Sequence, residues 1–244
     1  MRSILKFAFV WGIIVLLIAL FLSSRCEAET QTRKVALIVL KGPYSISLRQ
    51  SKAMFQTVKK FYSPIGYNLV LVRNKKINDP CKRIPNTLDA NLQKYACLAL
   101  HFYVRKDLYP GQYKHYFVAP PMIQGGVSWQ GGFSSGICKF GRSFSMGNAI
   151  AKRIPTGEDR LQAGAIVCGH ELGHQYGCKH YDTTINLMHS NAGYYSVNGY
   201  FHRMIFEPYS IDQLYRCEGP ARQIEFQSVG EYTPVVWERG NVFS

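Results

Sequence analysis

Five residues between positions 170 and 180 have the types and the spacing of a metal centre that could hydrolyse a bond. His170 and His174 are four positions apart, so on a helix their rings lie on one face, one turn from each other. Glu171 lies about 100° round the helix, where it is badly placed as a ligand but can reach a water molecule on the metal. Gly177 suits a left-handed helix end, and the turn can bring His180 back to the same ion. Three neutral nitrogens with an open fourth position are typical of a catalytic zinc site; a helix end with ordinary histidines is the alternative.

The stretch His-Glu-Leu-Gly-His-Gln-Tyr-Gly-Cys-Lys-His resembles the signature of the metzincin zinc peptidases, H-E-x-x-H-x-x-G-x-x-H. In that family a Met-turn follows the third histidine, and Met188 stands at this place. The resemblance implies that Met188 forms a structural floor under the metal without binding it. It also implies that one zinc ion is bound by His170, His174 and His180.

The resemblance implies a reaction as well. The ion polarises a peptide carbonyl and lowers the pKa of its bound water towards about 7. Glu171 is the general base, which takes a proton from that water and hands it to the leaving amine. We therefore expect a zinc endopeptidase acting on proteins or peptides, and the sequence leaves calcium binding open. The alternatives are a catalytically silent binding protein that retains the site, and a basic polyanion-binding module with a structural zinc ion.

Two cysteines resemble those of the reprolysin (adamalysin) catalytic domains, the ADAM-like branch of the metzincins. Cys138 stands in a Gly-Ile-Cys segment, and Cys217 lies at the end of the last predicted helix. The corresponding cysteines pair in that branch, so the resemblance implies a disulfide between them. The sequence departs from the branch in one place: Tyr181 stands where an aspartate usually follows the third histidine, and Asp182 comes next.

The N-terminus has the pattern of a secretory signal. Two basic residues precede an apolar run over 7–22, and small residues precede a cleavage-like point after Ala28. The run is shorter than the roughly 20 residues that a spanning helix needs. We therefore expect a secreted protein with a signal peptide at 1–28 and a metalloprotease catalytic domain with a C-terminal tail at 29–244. A type II membrane anchor is the alternative.

Cysteine content and charge bear on the partners. Removing the signal takes Cys26 and leaves six cysteines, an even number that fits an oxidising compartment. Cys168 and Cys178 are too far apart along a helix to pair with each other, and we expect Cys178 to be in a disulfide rather than free. The net charge of +14 favours an anionic surface or glycan. Because the basic residues form no long run, a plain basic secreted monomer without a specific nucleic-acid site is the simpler expectation.

The order of predicted elements gives the fold class. Strands at 34–40, 67–73 and 115–119 alternate with helices at 46–62 and 86–107. This order predicts an α/β fold with a twisted, mostly parallel sheet covered by helices. A strand at 143–150, the helix that carries His170, and a closing helix at 208–217 with Ser210 as its N-cap complete the prediction.

Two further expectations come from the metzincin resemblance. Helices cover a zinc cleft, and an edge strand within 125–133 binds extended substrate by backbone pairing. The remaining part is a small irregular C-terminal lobe. Four aromatic residues there either line the pocket for the residue after the scissile bond or simply pack the lobe: Tyr194, Tyr195, Tyr200 and Phe201.

Overall fold

The computed structural model describes residues 30–87, 90–111, 113–120, 132–134, 143–148, 157–183, 186–190 and 205–217. The chain divides into two units, Met1–Gln31 and Thr32–Ser244, and the first contributes only residues 30 and 31 to the described part. Over the described ranges, none of the helices combines the length and the apolar character that a membrane span requires. The expected signal peptide lies outside these ranges.

Among the described residues, five strands form one sheet: β1 (Gln31–Lys41), β2 (Tyr67–Asn78), β3 (Lys114–Ala119), β4 (Gly132–Ser134) and β5 (Ser143–Asn148). The α-helices of this part are α1 (Leu48–Tyr62), α2 (Asn91–Val104), α3 (Gly157–Gln175) and α4 (Pro208–Cys217), with a short 3-10 helix at Ser63–Ile65.

The sheet has the order β2-β1-β3-β5-β4. β3 runs parallel to both β1 and β5, and β4 runs antiparallel to β5 at one edge. Parallel neighbours need crossover connections, which helices supply on the faces of the sheet. The predicted α/β fold with a mostly parallel sheet is therefore confirmed.

The middle of β1 is continuously apolar and contributes to both apolar layers of the core. Val35, Leu37 and Val39 point into the layer formed with α1 and α3. Ile38 and Leu40 point into the layer formed with α2. All five are fully buried, and the alternation follows from the two-residue period of a strand. The sheet thus separates two apolar layers, with the histidine-bearing helix in the first.

α1 is fixed at its start and holds α3 at its end. The Ser47 hydroxyl accepts from the Gln50 N–H at 3.2 Å, and the Gln50 side chain accepts from the Ser47 N–H at 2.9 Å, a capping box. Tyr62, the last residue of α1, donates a 2.8 Å hydrogen bond to the carbonyl of Gly169 in α3. This contact anchors α3 one residue before the first site histidine.

α2 covers the opposite face of the sheet. Leu98 is fully buried there, and the buried Lys94 pairs with Asp79 in the loop before the helix. A disulfide between Cys81 and Cys97 ties the same loop to the helix. These contacts hold the inner face of α2 against the sheet and against the loop that precedes the helix.

The sequence prediction misplaces the ends of β1, α1, β3 and β5 by one to three residues, and two further elements differ by five residues at one end. β2 continues to residue 78 rather than ending at 73, and Asn74 in the added part donates to the carbonyl of Leu48 in α1 at 2.9 Å. A polar strand end of this kind lacks an apolar signal. α2 spans 91–104 rather than 86–107, since the loop before it is held by Asp79 and the disulfide.

Candidate metal centre

α3 and the turn after it bring three imidazoles together. His170 and His174 lie one turn apart on α3, with their Nε2 atoms 3.0 Å from each other. The helix ends at Gln175, and Gly177 then adopts a φ of 102°, a conformation that a β-carbon disfavours. The chain turns back there. The Nε2 atom of His180 lies 3.2 Å from that of His170 and 3.1 Å from that of His174.

Hydrogen bonds show which nitrogens of the two helix histidines face the centre. The Nδ1 of His170 lies 2.7 Å from the Leu187 carbonyl, and that of His174 lies 2.7 Å from the Cys178 carbonyl. Because a carbonyl only accepts, each Nδ1 carries the hydrogen, and each Nε2 presents its lone pair to the centre.

The resulting triangle of nitrogens fits a zinc ion. Tetrahedral zinc with Zn–N bonds of about 2.0–2.1 Å separates its nitrogens by roughly 3.3–3.4 Å. The three observed Nε2 separations are 3.0, 3.1 and 3.2 Å. Nitrogens with inward lone pairs repel one another at such distances unless a cation lies between them. The residues present are therefore a suitable ligand set for Zn²⁺, with a fourth position left for a water molecule or a substrate.

Burial keeps the two helix histidines uncharged. The pKa of His170 is lowered to about 3, mainly by burial and to a smaller extent by the neighbouring His174 and His180. Burial also lowers the pKa of His174 to about 4. Metal ligation requires neutral imidazole, so both rings are in the binding form throughout the neutral range.

Glu171 directly follows His170 on α3 and is buried, with 5% of its surface exposed. Burial raises the pKa of this carboxyl to about 8, and its Oε2 atom has no hydrogen-bond partner within the described ranges. The carboxyl group lies against Gly132 in β4, where an added β-carbon would be 2.5 Å from Cδ. The edge strand can pass this closely only with glycine at that position. A buried carboxyl of this kind suits proton transfer near neutral pH.

The loop at 186–190 lies under α3 and is held by Asn186. The side chain of Asn186 accepts from the Met188 N–H at 3.1 Å and donates to the Tyr181 carbonyl at 3.0 Å. Met188 is fully buried, and its thioether packs so closely on Gly173 that a β-carbon there would collide with the sulfur. The methionine thus lies beneath the helix turn that carries the two histidines.

Ser210 holds α4 against the loop at 186–190. Two expectations from the sequence are wrong in this region. Ser210 does not cap α4, because the helix begins at Pro208; the buried serine hydroxyl instead accepts from Asn186 at 3.1 Å. Cys178 is not in a disulfide but is free and buried. Its thiol donates to the Ser210 carbonyl at 3.3 Å, which occupies the thiol in place of a disulfide partner.

A family model decides the class of protein. The model Reprolysin_5, described as metallo-peptidase family M12, matches residues 49–212. The match covers more than half of the chain and includes the whole three-histidine stretch. The chain belongs to metallo-peptidase family M12. The predicted class, a zinc metallopeptidase, is therefore confirmed, and the three-histidine centre of this M12 chain agrees with it.

Three solved structures are similar to this M12 chain at low identity. Metalloproteinase-II from Bacteroides fragilis is 12% identical with a TM-score of 0.48, over 77% of this chain and 53% of that one. This chain therefore spans about half the length of that protein. Archaemetzincin from Methanopyrus kandleri is 16% identical with a TM-score of 0.48, over 79% and 98% of the two chains. A zinc-dependent peptidase from Methanocorpusculum labreanum is 12% identical with a TM-score of 0.45, over 74% and 99%. No curated protein matches the chain.

Sequence reasoning missed Gln175, which fixes the end of α3 in this M12 chain. The residue directly follows His174 and is fully buried. Its Oε1 accepts from the Ser143 hydroxyl at 2.8 Å, and its Nε2 donates to the His115 carbonyl at 3.0 Å and to the Ser145 hydroxyl at 2.6 Å. These bonds tie the second histidine to β3 and β5. The one signal in the sequence is an uncharged amide inside the signature, which does not reveal partners 30 or more positions away.

The remaining cysteines agree in part with expectation. Cys168 and Cys178 do not pair with each other, since both are free. Cys217 is in a disulfide, and Cys138, the partner that the resemblance implies, lies outside the described residues.

Other described histidines stay out of the cluster in this M12 chain. The Nδ1 of His189 lies 3.7 Å from a carboxylate oxygen of Asp182, and the Nε2 of His101 lies 3.0 Å from the Tyr109 hydroxyl. His115 is buried under α2. Most of the expected edge-strand segment and the C-terminal aromatic segment lie outside the described residues: 125–131, Tyr194, Tyr195, Tyr200 and Phe201.

Proposed function

We propose that this chain is a secreted endopeptidase of the metzincin type, with Glu171 as general base. The observation that carries the proposal is the triangle of inward-facing histidine nitrogens, with Glu171 buried on the same helix one position after His170. A closed structural zinc site would use a fourth protein ligand. Within the described residues, the cluster of metal-ligating side chains comprises the three histidines alone.

The residues around the centre have separate tasks. A zinc ion bound by the three histidines supplies Lewis-acid activation of a water molecule and of the scissile carbonyl. Glu171 takes the proton of the attacking water and delivers it to the leaving amine. Its pKa, raised by burial to about 8, is lowered by a neighbouring cation, which brings the carboxyl into the range for both transfers near neutral pH. Met188 and Asn186 hold the helix turn and the loop in place and do not react.

The substrate is proposed to lie along β4. This strand is at the edge of the sheet, pairs with β5 on its inner side, and passes directly over Glu171 at Gly132. An exposed strand edge presents backbone N–H and carbonyl groups with which an extended peptide can pair. A peptide bound there would have one of its bonds next to the buried carboxyl. Protein and peptide substrates in extended form are therefore the proposed class.

We further propose the reprolysin-like branch, with a Cys138–Cys217 disulfide and Met188 as the Met-turn residue. The disulfide between Cys81 and Cys97 supports an oxidising compartment, and hence secretion after cleavage behind Ala28. A type II anchor at the same segment is the alternative location. A monomeric catalytic domain at 29–244 with one zinc ion completes the proposal.

The test compares four secreted proteins: wild type, Glu171→Ala, His170→Ala and the matched control His101→Ala. Cleavage of quenched peptides and denatured protein is measured with bound zinc quantified in each. We expect wild type and His101→Ala to cleave and a chelator to stop both. Glu171→Ala should keep its zinc and lose about 10²–10⁴-fold in kcat, and His170→Ala should lose zinc.

Two results would contradict the proposal. Cleavage by Glu171→Ala at the wild-type rate would exclude this carboxyl as the general base. If wild type holds one zinc ion per chain and cleaves nothing, the catalytically silent binding protein becomes the better account.

A further inference from the structure

The outer face of α2 carries apolar side chains where a surface helix normally carries charges. Leu92, Leu100 and Val104 are 65%, 68% and 66% exposed, and Ala96 is exposed between them. Residues spaced by four lie in one row along a helix. We call these four residues the outer ridge.

In α2 the charged side chain lies on the inner face rather than on the outer one. Lys94 is the sole Lys, Arg, Asp or Glu in the helix sequence, and it points inward, where it pairs with Asp79 and donates to the Cys81 carbonyl at 2.9 Å. The inner face is filled as well, with Leu98 and Phe102 fully buried. Among the described residues, the outer ridge is therefore not needed for packing, and covering it would be favourable.

Cations gather where the outer ridge ends. Arg105 and Lys106 follow Val104 directly, and both are exposed. The Nη2 atom of Arg105 lies 2.8 Å from a carboxylate oxygen of Asp107. This ion pair offsets the charge of Arg105 and does not involve Lys106.

Two cations of β2 lie at the same end. The Arg73 guanidinium donates to the Leu108 carbonyl at 2.9 Å, and the Lys75 ammonium lies 5.4 Å from the centre of the Tyr109 ring. Partial burial and then the charge of Arg73 lower the pKa of Lys75, as expected where like charges are close. We call these four cations the basic cluster, and with Asp107 beside Arg105 the group has a net charge of +3 (4 − 1): Arg73, Lys75, Arg105 and Lys106.

We propose that the outer ridge and the basic cluster bind the surface of an anionic lipid bilayer. The ridge side chains enter the boundary between headgroups and acyl chains, and the cations pair with phosphate and carboxylate headgroups. The chain's net charge of +14 attracts an anionic surface, whereas it opposes the approach of a second copy of the same chain. Such binding would hold the protein at a membrane and is independent of its catalytic chemistry.

The test measures binding of the full chain to vesicles of phosphatidylserine and phosphatidylcholine, and to vesicles of phosphatidylcholine alone. Residues 1–29 are then the same in every variant. Leu92→Gln/Leu100→Gln is compared with Leu48→Gln/Val72→Gln, which changes two exposed apolar residues elsewhere. We expect the first pair to weaken binding to anionic vesicles at least about tenfold, the second pair to leave it unchanged, and binding to fall steeply with salt.

Charge and immersion are tested separately. Arg105→Gln/Lys106→Gln should weaken binding to the anionic vesicles more than Lys59→Gln/Lys60→Gln does. The second pair removes the same number of positive charges from the end of α1. Brominated lipid should quench the fluorescence that Leu100→Trp adds to the protein. This measurement stays informative if residues 1–29 dominate the overall affinity.

Three results would overturn the proposal. One is that the fluorescence added by Leu100→Trp is quenched no more than that added by Val72→Trp. The second is equal binding to neutral and anionic vesicles. The third is a concentration-dependent dimer in the absence of lipid that Leu92→Gln/Leu100→Gln abolishes, because the ridge would then be a contact between copies.

Discussion

Gly132→Ala is expected to displace the carboxyl group of Glu171. The backbone of Gly132 lies outside the left-handed region, so alanine brings no backbone strain. Its methyl group, however, would lie 2.5 Å from Cδ of Glu171. Either the carboxyl swings away or β4 moves off α3. Zinc binding should persist, since the histidines are not in this contact, while kcat should fall by about 10²-fold or more, as for loss of a general base.

The stability cost of this methyl group should depend on the glutamate. Overpacking a filled site costs about 1–3 kcal/mol, so Gly132→Ala should lower the free energy of unfolding by that amount. In the Glu171→Ala background the space is open, and the same change should be neutral or stabilise by about 0.4–1 kcal/mol through the unfolded chain. The coupling between the two positions is therefore about 1–4 kcal/mol. Urea unfolding in the presence of a chelator measures it without a contribution from zinc.

Ser134→Ala serves as the matched control, because Ser134 lies two residues along β4 on the same face. It should change neither kcat nor the coupling. The reasoning is refuted if Gly132→Ala costs the same with and without the Glu171 side chain, or if the single variant keeps full activity.

Three further predictions concern the buried groups around the centre. The pKa of Glu171 rises from 4.5 to about 8 on folding, so its stabilising effect is complete below pH 4.5 and is lost as the pH rises to 8. The free energy of unfolding of metal-free Glu171→Gln should therefore exceed that of wild type by about 3 kcal/mol at pH 7 and should not exceed it at pH 4.5. Urea unfolding that gives the same difference in free energy at both pH values would contradict this. Gln175→Leu leaves two buried serine hydroxyls and a carbonyl without their partner, and should lower the free energy of unfolding by about 1–3 kcal/mol, whereas an unchanged value would show that this network is dispensable. Alkylation of the unfolded, unreduced protein should label Cys168 and Cys178, and mass spectrometry that finds Cys178 unlabelled would indicate a disulfide there.

The three-histidine arrangement could be predicted because its geometry is local. The offsets of four and six residues and the glycine between them set the positions of the rings through helix and turn geometry alone. Burial of β1 could be predicted for a similar reason, since a continuous apolar run has one favourable environment. In both cases the neighbours in sequence carry the information.

The supporting contacts could not be predicted, because they join distant parts of the chain. Gln175 reaches two strands that precede it by 30 to 60 positions, and Gly132 is matched to Glu171 across the sheet edge. Ser210 looks like a helix cap, but its partner Asn186 draws it into the interior. The oxidising compartment alone predicts a disulfide for Cys178, whereas its thiol donates a hydrogen bond to the Ser210 carbonyl. In each of these cases the structure depends on a tertiary contact that local sequence preferences do not reveal.

X-ray absorption at the zinc edge tests the central claim most directly. One zinc ion per chain should show three imidazole ligands at about 2.0–2.1 Å, a further oxygen and no sulfur, and the imidazole count should fall in His180→Ala. A zinc–sulfur distance of about 2.3 Å would place Cys178 or another thiolate on the metal. That result would contradict the three-histidine centre and the hydrolytic chemistry built on it.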